Sequence, residues 1–414
     1  MSAAAARRRK QRAAKSGDAD PIQVRLDALL KDPTLNEEAV AYEALQLAQS
    51  AVRRNVKIGN FAQATEVAYT SSLTLLTKSG RVSVSSQLMM GLLQVLTETH
   101  TVCTQKWVDR FAELDAAYRV ALEADTKMDP AERGRLQRLH QQFLIKGLKW
   151  SNDLGNTRHG ELGMHFVLAD HCWNMSCDEA VIGSEADRED AAAASQDDDE
   201  EEEEGDLQVD LRYDAVTHYA LAEKVSTITE KLKSLPAPTD EEMKMGHECP
   251  PAQRDALLTR AVLVLLAIEN LRDATKLVSY FWKDIETRSA DELKKSYLDK
   301  ADGKAPSHVM FVSMLLRISE KDVKTAPLFT WLVRNFGAEL GTMHQSSIIK
   351  SYTTKIGRLY FDIQPPPSMM GMMENMMGMM GGGGMGGMGG GGRMGGMNPQ
   401  MMQAAMQAMQ GGGM

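Results

Sequence analysis

Residues 60–100 read NFAQATEVAYTSSLTLLTKSGRVSVSSQLMMGLLQVLTETH, two helix-length segments joined by one turn. In the first, Ala64, Val67, Ala68, Ser71, Leu75 and Leu76 recur every three or four positions, which places them on one stripe of a helix. Its ending, TKSG, puts a lysine in the last turn and a glycine after it, as a helix C-terminus requires. The second segment opens on serines suited to capping and carries Leu88, Leu92, Val95 and Leu96 at the same spacing. Period-two alternation, the mark of strands, is nearly absent. A helical hairpin is the unit this stretch predicts.

Further segments follow at about 20-residue spacing. They are QKWVDRFAELDAAYRVALEAD (105–125), DPAERGRLQRLHQQFLIKGLKWS (129–151) with Asp129 and Pro130 as N-cap and first helical residue, and ELGMHFVLADHCWNM (161–175). RYDAVTHYALAEKVSTITEKLKSL (212–235) reads as one long helix, followed by QRDALLTRAVLVLLAIENL (253–271) and LRDATKLVSYFWKDIETRS (271–289). SHVMFVSMLLRISEKD (307–322), APLFTWLVRNFGAEL (326–340) and QSSIIKSYTTKIGRLYFDI (345–363) end the series. Helix pairs of roughly 35–45 residues joined by short turns stack into a solenoid, although no strict repeat motif aligns here. The expected architecture is all-α: a right-handed, tetratricopeptide-like solenoid over 21–367, interrupted by an acidic insert (178–208) and a proline-rich loop (235–252). A disordered basic arm (1–20) precedes it. A Met/Gly-rich low-complexity tail (368–414) follows, with a short helix at 399–410.

The net charge of −9 is concentrated at two places. The first 16 residues hold six basic groups and no acid, and Glu185–Asp206 holds thirteen acids and one arginine, leaving the remainder nearly neutral. Such a body is not shaped for nucleic acid, and the arm lacks interleaved aromatics to stack on bases. The acidic block is self-repelling and has nothing to bury; Ser184 and Ser195 beside it would suit an acidophilic kinase. The four cysteines are irregularly spaced, without the pattern of a disulfide framework, and no apolar run reaches 18 residues, so a soluble cytosolic chain is expected.

Phosphate-loop, zincin and nucleophile-elbow motifs are missing, so neither catalysis nor a cofactor is expected. His159, His165, His171, Cys172 and Cys177 are the one cluster of metal-ligand types. Six-residue steps put successive histidines on different sides of a helix, and no C-x2-C or H-x3-H pair occurs, so these read as packing residues rather than a metal site.

At FLIKGLKWSN (143–152) and YTTKIGRLYFDIQPPP (352–367), and in the pairs 61–96 and 260–281, the chain resembles the Golgi-to-ER traffic protein four family, over about residues 36–375. The resemblance implies a cytosolic adaptor without chemistry. It would bridge a targeting ATPase for tail-anchored membrane proteins, held by the N-terminal helices, to a ubiquitin-like-domain protein held by the C-terminal half. A BAG-domain chaperone scaffold and a TPR co-chaperone are further partners it implies. Carried onto this sequence, the ATPase face falls on Glu38, Tyr42, Arg53, Arg54 and Lys57, a mixed-charge surface whose alternative is a solvated helix face. The ubiquitin-like partner falls to Phe281, Trp282, Tyr297 and Phe311, with core packing an equal explanation for Phe281 and Phe311. In the tail, Met401, Met402, Met406 and Met409 follow an Asn-Pro helix start, resembling co-chaperone helices that hold transmembrane segments; a plain low-complexity appendage is the alternative.

Overall fold

The computed structural model describes residues 21–155, 157–178, 207–239, 252–289, 291–292, 295, 308–321 and 323–364. Every regular element among them is helical. The basic arm, most of the acidic insert and proline-rich loop, Tyr297, and the tail with its expected helix and methionines lie outside the described residues.

Helix α1 (Pro21–Leu29) leads into α2 (Glu38–Ile58), α3 (Phe61–Thr74), α4 (Val82–Glu98), α5 (Gln105–Ala124), α6 (Pro130–Leu154) and α7 (Leu162–Met175). Beyond the insert come α8 (Leu207–Leu221), α9 (Val225–Lys233), α10 (Gln253–Ala267) and α11 (Leu271–Tyr280). The series closes with α12 (His308–Ser319), α13 (Ala326–Asn335), the short α14 (Gly337–Gly341) and α15 (Ser346–Phe361).

Helices pack on their neighbours and next neighbours along the chain. Adjacent helices run antiparallel: Trp107 meets Trp150, Phe111 stacks on Phe143, and the Tyr118 hydroxyl donates to the Leu136 carbonyl, so positions rise along α5 as they fall along α6. Second neighbours run parallel, since Arg212 of α8 bonds Gln253 while Arg260, a turn or two further on, bonds Thr217. This alternation is the stacked-pair solenoid predicted from residues 60–100. The core stripes of that hairpin, Ala64 to Leu76 and Leu88 to Leu96, are buried as predicted.

The pair-closing turns share a conformation that the sequence hides. Gly59, His100, Gly160, Glu223 and Glu269 all take positive φ. At four of them the bonds are the same. The left-handed residue donates to a carbonyl three back and the next residue to one five back: Gly59 to Val56 and Asn60 to Asn55, His100 to Thr97 and Thr101 to Leu96, Glu223 to Ala220 and Lys224 to Tyr219, Glu269 to Leu266 and Asn270 to Leu265. One of these turns corrects the sequence analysis. The long helix expected over 212–235 is broken at Ala222–Lys224 into α8 and α9, because this Schellman turn is made by a glutamate rather than a glycine. Two caps also differ: α4 begins at Val82 before its serines, and Asp129 holds the N-cap position without a side-chain capping bond.

Helix α10 is the centre of the C-terminal half. From Arg254 to Ala267 every residue is buried, as befits a helix that α8, α11, α12 and α15 surround. The last of these is the exception to neighbour packing: α15 returns across the chain to lie on α10.

Candidate functional site

A groove opens where three alternate helices of the N-terminal stack, α2, α4 and α6, line up. It encloses about 1000 Å³. Arg53 and Lys57 stand on the α2 wall, Lys146 and Lys149 on the α6 wall, and Gln87, Met90, Gly91 and Gln94 of α4 form the floor. Four of the residues assigned to the ATPase face, Glu38, Tyr42, Arg53 and Lys57, fall within one third of the α2 circumference and are exposed. Arg53 and Lys57 reach the groove, while Glu38 and Tyr42 continue their stripe toward the helix start. Arg54 is exposed too, but about 100° round the helix from Arg53.

At the C-terminal half the aromatic candidates separate. Phe281 and Phe311 are 0% exposed. They are core residues, which corrects their assignment as partner anchors: the Arg254 guanidinium lies over the Phe281 ring, and Phe311 packs against Phe336. Trp282 is half-buried and its indole N–H donates to Ser313 Oγ at 3.1 Å. Below it, Glu286 accepts from Arg254 Nη2 at 2.9 Å and from Arg288 Nε at 2.9 Å, and Arg254 Nε donates to Asp255 at 3.1 Å. Burial pushes Glu286 up, but Arg288 and Arg254 outweigh it and hold its carboxyl below the usual value. Asp255 is pushed up to about 6 by burial, which outweighs its hydrogen bond and ionic attraction to Arg254. This buried ionic cluster fixes the chain where it leaves the α11 region.

Two exposed apolar side chains of this half went unread in the sequence. Trp331 and Leu328 are each 56% exposed and sit three residues apart on α13, between Lys324 and Arg334. Phe329 and Leu332 face inward, Phe329 stacking on Phe361 of α15. The helical spacing of Lys324, Leu328, Trp331 and Asn335 was the available signal.

The five metal-type residues are not gathered together. His165 donates from Nε2 to the His159 carbonyl at 2.6 Å, so its Nδ1 is an acceptor for His218 Nδ1–H at 2.9 Å. His171 points elsewhere, to the Gln137 carbonyl and toward Asp115. Asp115, His140 and His171 form a buried set of potential ligands, yet the carboxylate is already bonded by His140 Nε2 at 2.9 Å and Arg119 Nη2 at 3.0 Å. Cys172 is buried and Cys177 exposed. None of the described helices is long and apolar enough to cross a membrane.

Comparison with known proteins gives three findings. The model of the family "GET4: Golgi to ER traffic protein 4" matches residues 59–380, beginning at the α2–α3 turn. Protein GET4 of Arabidopsis thaliana is 22% identical over 365 residues, covering 85% of this chain and 94% of that protein. The crystal structure of C. therm. Get4 aligns with a TM-score of 0.49 at 19% identity, over 88% of this chain and 97% of that one.

Proposed function

Because the chain belongs to the Golgi to ER traffic protein 4 family, and so to the targeting pathway that family serves, we propose that it is a cytosolic adaptor in the delivery of tail-anchored membrane proteins. It bridges a targeting ATPase, on the exposed α2 stripe of Glu38, Tyr42, Arg53 and Lys57, to a ubiquitin-like-domain protein on the C-terminal half. The observation that carries this proposal is the family match across most of the solenoid. Two features support it: a mixed-charge helix face in one half, and an exposed tryptophan with an exposed leucine one turn away in the other.

Mixed charge favours a fast, salt-sensitive contact suited to an ATPase that must come and go. Trp331 and Leu328, both exposed on α13, favour a longer-lived one, since large aromatics supply most interface energy. Co-purification with both candidate partners tests the proposal. Arg53→Glu with Tyr42→Ala should lose the ATPase and keep the ubiquitin-like protein; Trp331→Ala with Leu328→Ser should do the reverse. Loss of both partners in either variant, with the fold intact by circular dichroism, would refute the division of labour.

A further inference from the structure

The groove across α2, α4 and α6 shares Arg53 and Lys57 with the α2 stripe but adds a floor and a second wall, and its chemistry points to a particular occupant. Its middle is open: a Cβ built on Gly91 meets no atom within 4 Å. Glycine in a helix interior costs stability, and here it leaves the floor low between two higher walls. Arg53 and Lys57 on one side, and Lys146 and Lys149 on the other, are exposed and form no ion pair among the described residues. Other arginines of the same half are matched: Arg110 with Glu66, Arg119 with Asp115, Arg135 with Glu132. The groove's own acids are Glu98, which accepts from Gln94, and Asp153.

Both walls are therefore cationic around a floor of methionine, glycine and amide groups. The one lining ring, Trp150, is buried and its indole N–H is used by the Thr101 carbonyl, so no face is offered for stacking on bases. We propose that this groove receives an amphipathic helix with acidic flanks, supplied by a partner protein. The volume is right for it, because a cylinder about 10 Å across and two turns long occupies roughly 900 Å³. Apolar side chains of the incoming helix lie over Gly91 and Met90, and its carboxylates meet Arg53 and Lys57 on one flank and Lys146 and Lys149 on the other. This goes beyond the ATPase assignment, which rests on the α2 stripe alone and leaves the α4 floor and the α6 wall without an occupant.

The probe is a fluorescein-labelled designed helix of about four turns, with leucines along one stripe and glutamates flanking it, titrated against the full chain. A twin carrying lysine for glutamate is the control. The glutamate peptide should bind with a Kd on the order of 10 µM and weaken about tenfold in high salt. Gly91→Phe, which fills open space, should abolish binding, and Gly91→Ala should retain it. Arg53→Glu with Lys149→Glu, both at exposed positions, should reject the glutamate peptide and accept the lysine twin. The inference is overturned if the glutamate peptide does not bind, if the lysine twin binds the unaltered chain equally, or if Gly91→Phe binds undiminished while retaining the unaltered chain's melting temperature. Displacement by poly(U) RNA of the lysine twin from the charge-reversed variant as strongly as of the glutamate peptide from the unaltered chain would also overturn it.

Discussion

At Gly147 the crossing of α5, α6 and α7 leaves no room for one carbon. A Cβ there would stand 2.6 Å from Phe111 Cε1 and 3.0 Å from Met164 Cε. Phe111 cannot yield, since it is stacked on both Phe143 and Trp150. Alanine favours a helix over glycine by about 1 kcal/mol, yet Gly147→Ala should destabilise by about 1–3 kcal/mol, because overpacking wins where the neighbour is pinned. Urea unfolding measures this, and a stabilised variant would refute it. Single residues also set the pH response. Burial pushes His171 and His218 down to about 3 and His308 to about 4. Unfolded histidine titrates near 6.5, so below that pH the unfolded chain takes up protons the fold refuses, and stability falls. Each histidine costs about 2 kcal/mol between about pH 6.5 and 5. Asp255, raised to about 6, and Asp214, also raised by burial, oppose this but are outnumbered by the three histidines. Denaturant midpoints should therefore drop on acidification, and His308→Leu should flatten the profile by one histidine's share; an unchanged slope would count against burial as the cause. Which residues were legible follows the same logic. Exposed cations on α2 could be read from helical spacing alone. Phe281 and Phe311 could not be told from surface aromatics, because their burial depends on Arg254 and Phe336, far away in sequence.

Among elements, the turns carry the repeat more faithfully than the helices do. The segments Ile58–Phe61, Ala222–Val225 and Ile268–Leu271 share a backbone: Asn60, Lys224 and Asn270 adopt φ/ψ of −93/68, −93/62 and −95/66. Their left-handed residues are glycine, glutamate and glutamate, so a search for glycine finds only the first. That is why the α8–α9 break was invisible while the helices themselves were plain: the sequence pattern reports which face is buried, and a turn made at a conformational cost leaves no pattern. The cost is testable. Glu223→Gly removes a side chain from a left-handed position and should stabilise by about 1 kcal/mol. A thermal melt shows the sign, and destabilisation would mean that Glu223 makes a compensating contact. Helix α13 was legible as a helix but not as a surface, since knowing that Phe329 faces α15 requires knowing that α15 comes back to it.

For the whole chain, the all-helical stack and its order could be read from hydrophobic periodicity, whereas the α10–α15 contact could not, because it joins residues without any local signal. Arg260 is the joint. It donates to Thr217 Oγ1 at 3.0 Å and Gln345 Oε1 at 3.1 Å, lies near the Tyr213 and Tyr352 rings, and is 2% exposed. His344 bonds Asp210 alongside. Neighbour-only stacks tolerate trimming from an end, so deleting residues 1–29 should leave the rest cooperative and folded. Ending the chain after Gln345 should instead unfold the C-terminal half, by uncovering α10 and stranding a buried guanidinium; limited proteolysis distinguishes the two, and equal resistance would refute it. Protein synthesis gives that seam a further meaning. The segment that completes it, α15, is the last of the described helices to leave the ribosome, so every earlier nascent length presents the C-terminal half unfinished. Translation thus sets a completion check on this half: a ribosome-stalled chain ending at Gln345 should fail to capture a C-terminal partner, and only a chain that has released α15 should succeed.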